Sequence, residues 1–538
     1  MKTKIIIPGL SLVLLAGMYS CKKDPNGIME TGAYIDTAGP LKAAAGFPIG
    51  FAIDYTPMKN DPRYAATVAR EGNSVTFGYQ MKHGAVVRDN GSFDWTRTDE
   101  LVNLATGAGL QIFGHTLGWH QNQNANYLKN FAGIVLPASV ELLANGGFES
   151  GTTNLANWAT YNAQNGATIS VGAGAGEVRT GTRSMKVVNP VANPGNQWRV
   201  QVASDLFNTV IGTQYTVTYW VKAAAGGGSI RLSTQTSGGG SAQYQGDQNI
   251  GTTFQQITWT FTANSPQTRI LFDMGQAANT YYIDDASVKE VIGAPSGTQI
   301  AAKLDQALGN FITAMVNRYK DKVKEWDVVN ELFADDGNIR NNTNTSVTPT
   351  DVLVWSHYMG RDYALKAFNY AKAADPTALL YINDYNLESQ PAKLDSLIAF
   401  VNELKGKGAK VDGIGTQMHI GLNTSFAGID AAFQKLAATG LKIRISELDV
   451  RINPTDKPDL STSRTMNAYQ AHMYDYVISS YLKHVPPAQR AGITIWGVTD
   501  ADSWIVTVLK KKDYPMLFDA NYAKKPAYSG VLQALKGQ

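Results

Sequence analysis

The chain has 538 residues, 44% hydrophobic and 17% charged, which excludes a disordered, low-hydrophobicity polymer and leaves material for large cores. Its 51 glycines and 20 prolines are too few and too scattered for a collagen-like chain. With 47 basic and 44 acidic residues the formal charge is +3, which gives no electrostatic ground for a nucleic-acid partner and suits a neutral, hydroxyl-rich ligand.

The first segment reads as an address. Lys2 and Lys4 precede an apolar run from Ile5 to Ala16, shorter than the roughly 20 residues a bilayer span needs. A basic start, an apolar middle and small residues before Cys21 form a secretory signal over residues 1–20. The stretch Ala16-Gly-Met18-Tyr-Ser-Cys21 resembles a bacterial lipoprotein cleavage site, with Met18 in place of the usual Leu. The resemblance implies cleavage before Cys21 and its lipidation. The product is then a secreted lipoprotein of the outer membrane or cell surface, meeting the membrane only through that anchor. The alternative is an ordinary signal and a periplasmic or extracellular product. Cys21 is the sole cysteine, so no disulfide forms within the chain. Residues 21–44 read as a polar tether.

Residues 45–135 and 295–538 share one texture. Short apolar runs occur at Gly50–Asp54, Ser74–Thr76, Gln111–Leu117, Val323–Val329, Leu379–Ile382, Val411–Gln417, Leu441–Leu448 and Gly492–Trp496. Segments of helical period separate them. In Ile300–Tyr319, for example, Leu304, Leu308, Ile312, Met315 and Val316 form one stripe. Strand–helix alternation predicts a parallel sheet covered by helices, and eight strands predict closure into an α/β fold, the (β/α)8 TIM barrel.

Residues 138–292 differ. They are rich in Gly, Thr, Ser, Asn and Gln, and alternate with period two in Gln214–Lys222, Gln255–Phe261 and Thr268–Phe272. This predicts an all-β sandwich of jelly-roll type, inserted in the third β/α connection.

Two glutamates carry the chemical argument. Glu331 closes Trp326–Glu331 directly after an apolar strand, and Glu447 stands late in Ile443–Val450. A barrel brings both to its mouth, where paired carboxylates suit glycoside cleavage. On this evidence alone, structural ion pairing explains such a pair more often than catalysis does. The surroundings resemble glycoside hydrolase family 10, the endo-β-1,4-xylanases. The resemblance rests on Gly114-His-Thr-Leu117 with Trp119-His120, Trp326–Glu331, Ile382–Asn386, Gly413–His419, Ser446–Asp449, Trp496–Asp500 with Ser503-Trp504, and Leu517–Asp519 with Lys525–Tyr528, in the family's order.

The resemblance implies the site. Glu331 is then the acid/base and Glu447 the nucleophile of a retaining mechanism, and Asn330 binds the 2-hydroxyl of the −1 sugar. Gln417 and His419 orient the carboxylates. Lys82, His115 and Trp119 line the glycone side, and Trp496 and Trp504 pack on sugar faces. Asp327 and Asp449 are read as structural partners and Trp326 as barrel packing. The substrates are xylan and xylo-oligosaccharides, with no cofactor for catalysis. Oligomeric state is not legible. The family pattern Asn-x-Val-Thr-x-Glu-Asn-x-Met-Lys is met by Asn73-Ser-Val-Thr-Phe-Gly78-Tyr79-Gln-Met-Lys82, so Gly78 and Tyr79 replace the Glu-Asn pair that binds the −2 sugar. A weakened −2 subsite is expected, unless Tyr79 stacks on the sugar.

The insert resembles carbohydrate-binding modules of the family 4/9/22 type, from Leu143–Glu149 at its start and Tyr282–Val288 at its end. Trp158, Tyr161, Trp198 and Tyr244 are candidate sugar platforms, and Glu149 with Asp285 is a candidate structural Ca²⁺ site. Two other readings stay open: a β-1,4- or mixed-linkage glucanase on the same barrel, decided by width near Trp496, Trp504 and Tyr79, and a non-catalytic surface glycan-binding protein.

Overall fold

The eight apolar runs of the flanking regions are strands in the computed structural model, which describes residues 37–135, 139–291, 293 and 295–538. In chain order they are β1 Ile49–Ile53, β2 Ser74–Phe77, β3 Gln111–Gly118, β4 Val323–Asn330, β5 Leu379–Asp384, β6 Gly413–Thr416, β7 Lys442–Arg451 and β8 Arg490–Ile495. Each pairs in parallel with its neighbours, β1 with β8 at Ile49↔Ile493 and β6 with β7 at Gly413↔Lys442, so the barrel closes without an edge. Every residue of β1, β2 and β6 is buried. Strands covered by helices outside and side chains inside have no solvent face, which is why these runs show no polar alternation.

The helices follow the sequence signals. Ser296 and Gln299 form a reciprocal capping box before the helix Gly297–Tyr319, whose stripe Leu304, Leu308, Ile312, Met315 and Val316 is buried. In the barrel lumen Arg444 is 1% exposed. It donates to Ala491 O, Thr494 Oγ1 and Ser74 Oγ, and its guanidinium lies 4.1 Å from the Phe113 ring centre. These contacts to the two terminal nitrogens offset part of the cost of burying the charge.

The expected tether is shorter than the sequence suggested. Leu41–Ala44 is a turn of helix, Leu41 is fully buried, and Tyr528 donates to Gly39 O. From residue 37 the chain is therefore docked on the barrel. Cys21 lies outside the described residues.

The chain divides into two compact units, Met1–Ile134 with Pro295–Gln538, and Val135–Ala294. The second is a sandwich of antiparallel sheets. One sheet runs Gln248–Ile250, Gly228–Gln235, Gln267–Asp273, Val200–Ser204, Trp158–Ala163, and the other runs Gln255–Thr262, Gln214–Ala223, Asn279–Glu290, Ser184–Asn189, Thr168–Gly172. Strict alternation in Gln214–Ala223 sends Val217, Tyr219 and Val221 into a core shared with Ile230, Leu232 and Phe272.

Two expectations for this unit are corrected. Trp158 is a core residue rather than a platform. It is 8% exposed, stacks on Phe272 and donates its indole N–H to Asn145 O. The Glu149 and Asp285 side chains do not fit calcium. Glu149 accepts from Thr182 N, Thr182 Oγ1 and Arg183 N, while Asp285 accepts from Thr180 Oγ1 and pairs with Arg179. The carbonyls of Gly151 and Asn154 accept from Arg183. A dication needs converging free oxygens, and here N–H and O–H donors already hold them. Among the described residues no group of three or more His, Cys, Asp or Glu is placed to hold a metal.

Candidate active site

The carboxyl ends of the barrel strands build one cleft of about 690 Å³. It brings together Tyr79, Lys82, His115, Trp119, Asn330, Glu331, Gln417, His419, Glu447, Trp496 and Trp504, and adds Asp54, Tyr64, Arg340, Tyr385 and Asp502.

Glu331 directly follows β4, and its φ of +53° is a left-handed conformation that a non-glycine residue adopts only under constraint. The constraint is visible. Glu331 N donates to Asn383 O at 2.8 Å, and Arg340 Nε donates to Glu331 O at 2.8 Å. Arg340 is itself tied to Tyr385 Oη at 2.6 Å. The carboxylate accepts from Trp119 Nε1 at 2.9 Å and from Gln417 Nε2 at 3.2 Å. Both donors are neutral.

Glu447 has a different setting. It lies in β7 just beyond the pairing with β6, and its N–H donates to Gln417 O. Oε1 accepts from Asn383 Nδ2 at 2.7 Å, and Oε2 faces His419 Nε2 at 3.3 Å. His419 Nδ1 in turn faces Asp449 Oδ2 at 2.8 Å, which also accepts from Trp504 Nε1. An imidazole with a carboxylate at each nitrogen is most stable as the imidazolium. Burial opposes that charge, but Asp449 and Glu447 outweigh it and push the His419 pKa up to about 10. Burial likewise opposes ionisation of Glu447. The His419 hydrogen bond and the nearby His115, His419 and Lys82 overcome it and hold the carboxyl below its usual range.

An amide chain links the two carboxylates. Asn383 Nδ2 donates to Asn330 Oδ1 as well as to Glu447, Gln417 Nε2 reaches Asn330 Oδ1, and Ser446 Oγ donates to Asn383 Oδ1. His115 stands opposite, its Nδ1 at 2.9 Å from buried Asp327 and its ring edge-on to Trp496. Lys82 Nζ lies 4.6 Å from the Trp119 ring centre. Burial lowers the Lys82 pKa, and Glu447, Glu331 and Asp54 oppose that shift. The floor is thus a ring of charges and amides, with indoles on its walls.

The Glycosyl hydrolase family 10 model matches residues 40–226 and 291–534. The chain belongs to glycoside hydrolase family 10. Endo-1,4-beta-xylanase A of Cellvibrio japonicus is 38% identical over 251 residues, which are 44% of this chain and 41% of the relative. Exoglucanase XynX of Acetivibrio thermocellus is 34% identical over 240 residues, 43% of this chain and 20% of the relative. The matched stretch thus spans less than half the length of either relative. The solved structure of native xylanase10C from Cellvibrio japonicus superposes with a TM-score of 0.58 at 23% identity, covering 95% of this chain and 76% of that one, and shares the fold.

Within this family 10 hydrolase, sequence reasoning left several site residues without a role. Asn383 was quoted in the resemblance, yet it is the hub of the amide chain. Its signal was its place at the end of β5, level with the strand ends that bear the glutamates. Arg340 and Tyr385 stand in loops and carried no periodic signal. Asp327 and Asp449 are indeed partners, each fixing one histidine. Asp54 closes the first apolar run and carried no chemical signal there.

Proposed function

We propose that the chain is an endo-β-1,4-xylanase that cleaves xylan with retention. The observation that carries this reading is the unequal support of two carboxylates in one cleft: Glu447 is held ionised by His419, and Glu331 receives only neutral donors. Glu447 attacks the anomeric carbon and forms the glycosyl-enzyme bond, while Glu331 gives its proton to the departing glycosidic oxygen. Glu331 then takes a proton from water, whose oxygen displaces Glu447 from the same carbon. Asn330 meets the sugar 2-hydroxyl in this reading, a contact that strengthens as the oxocarbenium-like state develops. Only two carboxylates and water take part in the reaction.

Purified protein assayed side by side on xylan and carboxymethylcellulose, with NMR of the first-formed anomer, tests this. Release of β-anomeric xylo-oligosaccharides is expected. Inverted products would overturn the mechanism, preference for carboxymethylcellulose would make the enzyme a glucanase, and inertness on both would leave a glycan-binding protein.

The inserted unit serves as the glycan-binding module. Asn162, Gln201, Asp273 and Arg231 stand in register across four strands, joined by Asn162–Gln201, Gln201–Asp273 and Arg231–Asp273 hydrogen bonds. Trp198 and Tyr244 are 43% and 59% exposed, and the Arg231 guanidinium lies 4.5 Å from the Tyr244 ring centre. A polar row with aromatic faces nearby suits a neutral polysaccharide. Tyr161 is 40% exposed, and Arg269 lies over its ring at 4.8 Å, much as Arg231 does over Tyr244. Lipidation at Cys21 would hold the enzyme at the outer membrane or cell surface. Loss of detergent-phase partitioning in Cys21→Ser tests that, and unchanged partitioning would remove the anchor.

A further inference from the structure

The expected defect of the glycone side lies at Gly78 and Tyr79. Gly78 has a backbone φ outside the left-handed region, so its conformation does not require glycine. What a side chain there would disturb is Asp54: a Cβ at position 78 would lie 2.8 Å from Asp54 Oδ1, the movable end of that side chain, and would push the carboxylate aside. The cause is register: β1 and β2 pair in parallel with Ile53 opposite Phe77, so the next residues, Asp54 and Gly78, leave the barrel side by side.

Asp54 is exposed to the cleft. Its backbone N–H donates to Tyr64 Oη at 3.3 Å, which ties down the main chain beneath the side chain. Among the described residues no hydrogen-bond donor reaches its carboxylate. Its neighbour Asp502 differs, since its Oδ1 accepts from Val498 N and Thr499 N. Burial raises the Asp54 pKa above the usual carboxylate value, and the Lys82 cation on the cleft floor offsets only part of that rise. A free carboxylate, a lysine and the 40%-exposed Tyr79 ring therefore share this end of the cleft.

We propose that Asp54 binds the sugar beyond the −1 position, supplying from the end of β1 the carboxylate that Gly78 cannot supply from the end of β2, and that position 78 is small in order to admit it. This rests on the xylanase reading. Two sugar hydroxyls donate to the carboxylate, a charge-assisted contact, and Tyr79 offers a ring face beside them. The −2 subsite is then rebuilt rather than lost.

An aryl β-xylobioside fills the −2 and −1 positions, and an aryl β-xyloside only −1. The readout is the ratio of kcat/KM on the two. In Asp54→Ala the ratio falls about tenfold or more, the worth of one hydrogen bond to a charged group. Gly78→Ala, which displaces the carboxylate, lowers the ratio in the same direction. The double variant falls no further than Asp54→Ala. An unchanged ratio in Asp54→Ala with wild-type melting temperature overturns the proposal, as does full additivity of the two changes. If Asp54→Ala does not fold, Asp54→Asn keeps the shape and removes the charge. It must lower the ratio, and an unchanged value overturns the proposal. A wild type inert on both substrates overturns the xylanase reading, and the proposal with it.

Discussion

In the proposed mechanism His419 is what sets the two glutamates apart. It sits between Asp449 and Glu447, and both of its nitrogens face carboxylate oxygen. Glu447→Ala should reduce turnover on every substrate by about 10⁴-fold or more, since no other group can form the covalent bond. Glu331→Ala should lose about 10²–10⁴-fold on xylan, but far less on aryl glycosides whose leaving group needs no proton. Azide should accelerate Glu331→Ala. If azide instead rescues Glu447→Ala to retained products, the roles are exchanged. The pH profile is a second check. Removing the imidazolium in His419→Ala leaves burial to raise the Glu447 pKa, so the acid limb of kcat/KM moves to higher pH. An unmoved limb would remove His419 from that role. The same histidine has a folded pKa of about 10 against an ordinary 6.5, so its stabilisation is complete below 6.5 and is lost as pH rises through about 10.

At the scale of strands, the site depends on close approach inside the barrel. Asn383 reaches both Asn330 and Glu447 because Gly415 on adjacent β6 leaves it room, and a Cβ at 415 would lie 2.3 Å from Asn383 Oδ1. Gly415→Ala therefore pushes the hub out of line. Overpacking of this kind costs about 1–3 kcal/mol, and urea unfolding should register it. Turnover should fall with KM little changed, because the disturbed amide holds the nucleophile rather than distant sugars. Wild-type turnover in a destabilised Gly415→Ala protein would show that Asn383 can move without consequence. The loops follow the same logic. Glu331 keeps its left-handed φ because Arg340 and the Asn383 carbonyl grip its peptide groups from two sides.

For the molecule as a whole, each unit has its own core, and the barrel unit alone contains both glutamates. The barrel ends flanking the insert are close, since a Cβ at Gly133 would lie 2.9 Å from Pro295. The sandwich closes on itself too, with Leu142 N donating to Val288 O. Removing residues 136–293 and joining the ends with a short Gly-Ser linker should leave a folded barrel that cleaves short xylo-oligosaccharides at near wild-type rates. Activity on polymeric xylan should drop several-fold, because a tethered second site raises effective concentration. A folded barrel inert on oligosaccharides would show that the insert completes the active site.

The sequence by itself determined what periodicity and local chemistry can carry. Continuous apolar runs identified strands buried on both faces, the stripe from Leu304 to Val316 marked a helix, period two marked the sandwich, and Glu331 and Glu447 stood out late in their strands. Only the tertiary structure decided which side chains meet. Asp54 and Gly78 are neighbours through the β1–β2 register, Asn383 is a hub because β4, β5 and β7 converge on one lumen, and Trp158 is core because its side of the sheet faces inward. Register and convergence are set by pairing between distant segments. A local window of sequence shows which residues a strand carries, but not which residue of another strand stands beside them.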